Sequence, residues 1–142
     1  MKESFNSDKL QEDKNKIMRN NVWLWCTYEG YEKSSQKSQA NATYIKNGET
    51  TSFIFEFDKS KDELLECISK TANESDYIYI VIDDNAKRRE LVKVIPDYCG
   101  IFCHSNAFGF GGIIQIFKEP QIISKAKRNH RKVGLRNGKF KL

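Results

Sequence analysis

The sequence predicts an α/β domain with a mixed central β-sheet flanked by helices. Three observations carry this. Strand-like and helix-like segments alternate across residues 42–117. Asn47-Gly48 stands between two extended runs, a strong short-range signature of an antiparallel hairpin. The run YIYIVI, residues 77–82, has no polar alternation, as expected for a central strand covered on both faces.

The elements follow in order. Residues 7–19 read as a helix: Ser7 or Asp8 can accept from its free N–H groups, and Leu10, Ile17 and Met18 form a narrow apolar stripe. Asn20-Asn21 is expected to end it. Residues 22–31, VWLWCTYEGY, are rich in aromatic and β-branched side chains and read as a strand, with Trp23 and Trp25 on one face. Residues 32–39 are polar and read as a loop. Residues 42–45 and 51–57 form the two arms of the Asn-Gly hairpin. Ser60-Lys61-Asp62-Glu63 is a capping box opening a helix, in which Leu64, Ile68 and Ala72 recur every fourth residue. After the strand at 77–82, residues 86–94 read as a short helix, with Pro96 just beyond it. Residues 100–104 and 113–117 read as the last two strands, joined by a turn at 108–112.

The chain has 142 residues, enough for one domain over residues 1–142 with a single core. No apolar run approaches the roughly 20 residues of a membrane span, and the N-terminus lacks an apolar signal region. Cys26, Cys67, Cys99 and Cys103 are sparse and irregularly spaced, as for reduced core residues of a cytoplasmic protein. The formal charge of +5 is uneven. Residues 125–142 hold eight Lys or Arg and no acid, which leaves the rest of the chain at −3. A basic tail on a mildly acidic body points to a polyanion partner, DNA in preference to RNA. Lys127, Arg128, Arg131, Lys132 and Arg136 could track phosphates, and His130 could stack on a base. Lys87, Arg88 and Arg89 form a second basic cluster, equally readable as a solvated helix face.

Glu56 and Asp58 lie two residues apart at the end of a hairpin arm, so a continuing strand would place both carboxylates on one face, opposite Phe53, Phe55 and Phe57. Such a pair suits Mg²⁺ or Mn²⁺, which take oxygen ligands; an exposed polar strand face is the plainer reading. The Cys99-x-x-x-Cys103-His104 segment lacks the spacing and fourth ligand of a zinc site. It reads instead as a buried strand carrying one exposed histidine.

The order of hairpin, acidic strand end, capped helix and buried strand resembles the PD-(D/E)xK nuclease superfamily, and within it the MmcB-like DNA-repair nucleases. Ala40-Asn41 corresponds to the family's Ala-Asp. Residues 56–64, EFDKSKDEL, correspond to its Glu-x-Lys strand end and the helix that follows. Residues 95–101, IPDYCGI, resemble its Pro-x-x-x-Gly segment, and the basic end resembles its tail. The resemblance implies a restriction-endonuclease-like core with site residues Asn41, Glu56, Asp58 and Lys59, and Glu56 and Asp58 as metal ligands. Two positions depart from the family. Asn41 stands where the family has a metal-binding aspartate, and Asp58 where it has the lysine that activates water.

The expectation is therefore a nucleic-acid-associated protein with a degenerate site and weak or no catalysis. Two alternatives stand beside it. One is an active Mg²⁺-dependent DNA endonuclease whose site has migrated, with Lys59 assisting if the strand end turns it back. The other is an interaction protein, such as a phage or mobile-element inhibitor, that uses the fold as a scaffold for a protein partner. No motif specifies an oligomeric state.

Overall fold

The computed structural model describes residues 2–105 and 113–123, with backbone alone for 2–11. The elements are α1 (Lys2–Tyr28), β1 (Glu32–Lys33), β2 (Ala42–Lys46), β3 (Glu49–Phe55), α2 (Lys61–Thr71), β4 (Tyr77–Ile82), α3 (Arg88–Val94), β5 (Gly100–Ser105) and β6 (Ile113–Lys118). Short 3₁₀ turns, Glu56–Asp58 and Asn85–Lys87, follow β3 and precede α3. The six strands form one sheet in the order β1-β2-β3-β4-β5-β6. The β3–β4 and β4–β5 pairs are parallel and the other three antiparallel, so the sheet is mixed as expected. Among the described residues, no helix is long and apolar enough to cross a membrane.

The hairpin forms where the sequence places it. Asn47 (φ 52°) and Gly48 (φ 78°) both take positive φ, and Lys46 pairs with Glu49 across the two-residue turn. Two successive left-handed residues twist the turn in the sense that antiparallel strands require. Ser60 accepts from Glu63 N while Glu63 Oε1 accepts from Ser60 N at 2.8 Å, completing the capping box of α2.

Strand β4 is hydrogen-bonded on both edges and covered on both faces. Ile78, Ile80 and Ile82 point to one side, with Ile54, Ile101 and Cys103 beside them. Leu64, Ile68 and Ala72 close that side from α2, and Leu91 and Ile95 from the α3 segment. Tyr79 and Val81 point the other way, joined by Phe53, Phe55, Phe102 and Tyr44. Right-handed crossovers between successive parallel strands put α2 and α3 on the same face. The aromatic face is left to α1, through Met18, Val22 and Cys26.

This corrects the reading of residues 22–31 as a strand. Helix α1 runs through Asn20-Asn21 to Tyr28. The alternation that paired Trp23 with Trp25 is overridden by the four-residue recurrence of Met18, Val22 and Cys26. Trp23 remains 45% exposed, whereas Trp25 meets Phe53, Tyr79 and Phe102 edge-on at centroid distances of 6.2, 5.8 and 5.3 Å. Helix propensities among these residue types differ by only a few tenths of a kcal/mol, so burial on an aromatic sheet face decides the conformation. Two smaller corrections follow. Glu32–Lys33, inside the expected loop, pairs with Ile45 and Tyr44 as β1. The hairpin arm expected to reach Phe57 ends at Phe55. The turn expected at 108–112 lies outside the described residues.

Gly100 opens β5 against the segment after β6. A Cβ there would lie 2.7 Å from Pro120 N and 2.8 Å from Lys118 O, both backbone atoms. Gly100→Ala is therefore expected to destabilise the fold by roughly 1–3 kcal/mol, read as a lower urea midpoint with an unchanged slope.

Candidate functional site

The C-terminal ends of parallel strands in an open α/β sheet are where ligands usually bind. Here β3 ends in Phe55, and the 3₁₀ turn Glu56–Asp58 reverses the chain before α2. This corrects the geometry expected for the two carboxylates. A 3₁₀ turn has about three residues per turn, so neighbours two apart point in different directions. Glu56 and Asp58 enter separate networks.

Asp58 belongs to the first. Asn41, just before β2, donates its backbone N–H to Phe53 O (3.0 Å), while its side-chain Oδ1 accepts from Phe55 N (2.8 Å). The amide thus extends the ladder between β2 and β3 beyond the last strand residue. The same Oδ1 accepts from Lys59 Nζ at 2.8 Å. Lys59 Nζ also donates to Asp58 Oδ1 at 2.7 Å and to Phe55 O at 3.1 Å. An ammonium has three protons, and all three are used. Asp58 Oδ2 accepts from Asn15 Nδ2 (3.1 Å) and Asn41 Nδ2 (3.3 Å). The Lys59 and Asp58 side chains are only 15% and 16% exposed. The turn does bring Lys59 back to Asn41, the arrangement the sequence made conditional on the strand end.

Glu56 belongs to the second. Its Oε1 accepts from Lys87 Nζ at 3.0 Å, and Lys87 also pairs with Asp83 Oδ1 at 2.8 Å. Asp83 Oδ2 pairs with Lys14 of α1, whose ammonium sits 4.8 Å above the Phe57 ring. Burial pushes the Asp83 carboxyl up, but hydrogen bonds from Lys14 and Lys87, with their charges, bring it below its ordinary value of 3.8. Burial lowers Lys87, and its bonds to Asp83 and Glu56 outweigh that, leaving it above 10.5. The three carboxylates Glu56, Asp58 and Asp83 are matched by the three ammonium groups of Lys14, Lys59 and Lys87.

A cavity of about 470 Å³ adjoins this edge, with Leu64, Leu91 and Val94 among its lining and Glu56, Lys59 and Lys87 at the strand ends. Glu56 and Asp58 do not share a partner: Glu56 Oε1 accepts from Lys87, while both Asp58 oxygens accept from Lys59, Asn15 and Asn41. Among the described residues, no three His, Cys, Asp or Glu side chains gather in one cluster.

Among the other predicted residues that the structure describes, Lys87, Arg88 and Arg89 have different surroundings. Lys87 turns its ammonium to Glu56 and Asp83 while staying partly exposed. Arg88 lies 4.5 Å from the Phe117 ring centroid, and Arg89 is exposed. Lys127, Arg128, His130, Arg131, Lys132 and Arg136 lie outside the described residues. His104, expected to be exposed, is buried, with Nδ1 3.4 Å from Asn21 Nδ2, because the helix covers that face of β5; burial lowers its pKa. Cys26, Cys99 and Cys103 are buried, and burial pushes their thiols up to about 12, 12 and 11.

Asn15, Lys14 and Asp83 were not singled out as site residues. For Lys14 the signal was present: the four-residue recurrence of Met18, Val22 and Cys26 extends back to it. Compared with known family models, curated proteins and solved structures, the chain matches none.

Two outcomes follow from these networks. Asn41→Ala strips the acceptor from Phe55 N–H and Lys59 and is expected to cost about 2 kcal/mol in chemical denaturation, whereas Asn41→Asp retains an acceptor and costs less. Lys87→Met is expected to cost about 1 kcal/mol at neutral pH, since the pair is partly exposed. Asp83 is depressed, so its contribution is complete above 3.8 and fades as pH falls through the depressed value. Lys87 is raised, so its contribution is complete below 10.5 and fades as pH rises through the raised value. The stability gap between wild type and Lys87→Met should therefore be flat between those limits and close outside them.

Proposed function

We propose that the chain is a nucleic-acid-associated protein built on a PD-(D/E)xK-like core whose catalytic site has become a structural clamp. The single observation that carries this reading is the convergence of Asn41, Asp58 and Lys59 at the C-terminal end of β3, with every Lys59 proton used internally. A helix before the strand meander, an antiparallel hairpin, and a capped crossover helix into a parallel central strand support the restriction-endonuclease-like core. The eight basic residues of 125–142 supply the affinity for phosphate.

Weak or no catalysis follows from the chemistry of the cluster. A live site needs uncompensated carboxylates to concentrate positive charge and lower the pKa of bound water. Here carboxylates and ammonium groups balance, and an amide stands at residue 41. Mg²⁺ or Mn²⁺ belongs only to the alternative reading, a migrated endonuclease site. That reading is favoured by one feature, the return of Lys59 toward Asn41.

Plasmid and single-stranded DNA incubated with Mn²⁺ should stay intact. Cleavage that disappears in both Glu56→Ala and Lys59→Met would establish the endonuclease instead. Binding to duplex DNA should weaken steeply with salt, with a log–log slope of about −0.9 per phosphate contacted. Replacing Arg128, Arg131, Lys132 and Arg136 with Gln in the full chain should flatten that slope by about 0.9 for each contact removed. An unchanged slope rejects the tail as the contact surface, and absence of binding leaves the interaction-protein reading in its place.

A further inference from the structure

We propose that the opposite end of the central strands carries a binding pocket for a primary alkylammonium ion. Helix α1 runs antiparallel to β3 and β4, since Asn15 reaches Asp58 at their C-terminal end and Trp25 packs on Phe53 and Tyr79. The helix stops at Tyr28, and the chain turns through Gly30 (φ 88°) into Tyr31. The N-terminal ends of β3 and β4 are left uncovered on the aromatic face. A cavity of about 240 Å³ opens there, lined by Tyr31, Tyr77, Tyr79, Glu49, Glu119 and Lys46 among others. The register Thr51↔Tyr77 and Phe53↔Tyr79 sets the two phenols of β4 on the same face as Glu49. Six residues of strand, roughly 20 Å, separate this pocket from the Asn41 cluster.

Several independent features select a cation. Two carboxylates line the cavity against one ammonium, in a chain whose overall charge is +5. Tyr77 donates its hydroxyl proton to Glu49 at 3.4 Å, and Tyr79 donates to Glu119 at 3.1 Å. Both phenol oxygens therefore keep their lone pairs free to accept. The pocket already holds one cation on an aromatic face: Lys46 Nζ lies 5.1 Å from the Tyr31 ring centroid. Burial first, and then Glu49 for Tyr77 and Glu119 for Tyr79, raises the pKa of these two phenols.

The size suits a small ammonium head better than a drug-sized ligand, whose sites begin near 300 Å³. The carboxylates favour a head with N–H donors over a quaternary one. Such a head could come from a free amine or from a lysine side chain of a protein partner.

The test is an NMR titration of the full chain with butylammonium, with Nα-acetyl-lysine methylamide, with tetramethylammonium and with neutral 1-butanol. Saturable shifts at Tyr31, Tyr77 and Tyr79 are expected with the two primary ammonium probes. Glu119→Gln should weaken binding about fivefold. Lys46→Met, which removes the internal occupant, should tighten it about threefold. Tighter binding of butylammonium assigns a free amine, and tighter binding of the lysine amide assigns a protein side chain. Unchanged resonances of Ile80 and Phe102 in both variants would show that the core is intact. The proposal is overturned if 1-butanol reproduces the shifts, if tetramethylammonium binds as tightly as butylammonium, or if no saturation appears in Lys46→Met by about 50 mM, a concentration well above what a desolvated cation–π and carboxylate contact requires.

Discussion

The structure depends on one constraint: β4 is paired in parallel on both edges and must bury both faces. Parallel neighbours need crossover helices, and right-handed crossovers place those helices on one side. That side becomes the aliphatic layer beneath α2 and α3. The other side is aromatic, and only a helix from outside the crossover units can cover it. Helix α1 does so, with Trp25 driven edge-on into Phe53, Tyr79 and Phe102.

One helix covering one face of a six-stranded sheet leaves two ends with different chemistry. At the C-terminal end of β3 and β4, α1 contributes Lys14 and Asn15, and the carboxylates there are closed by ammonium and amide groups. At the N-terminal end the helix has already stopped, and the phenols and carboxylates of Tyr77, Tyr79, Glu49 and Glu119 face a cavity. At the first end, Glu56, Asp58 and Asp83 are matched by Lys14, Lys59 and Lys87. The second keeps a negative surplus.

Asn41 shows how one polar side chain can hold a strand end together. Its amide accepts the Phe55 N–H that β2 does not reach, holds Lys59, and donates to Asp58. An ammonium with three satisfied donors fixes the start of the Ser60 capping box relative to the hairpin. A carboxylate at position 41 would serve the backbone equally well but would add charge to a cluster that is neutral as it stands.

Residue order alone made much of the fold legible. The Asn47-Gly48 turn, the Ser60–Glu63 box, the Leu64–Ile68–Ala72 stripe and the doubly buried run at 77–82 are written within a few residues of where they act. Their physics is local: a positive φ, a reciprocal cap, a repeat of four, an unbroken apolar run. Residues 22–28 were decided elsewhere, because tryptophan and valine fit helix or strand almost equally and only the aromatic face across the sheet tips the balance. The site divides the same way. Asp58 could be named from its spacing to Glu56, and Asn41 and Lys59 only from a motif resemblance. Only the tertiary structure separates Glu56 from Asp58, because a single 3₁₀ turn breaks the two-residue period on which their shared face relied, and brings Lys14, Asn15 and Asp83 into the networks from distant parts of the chain.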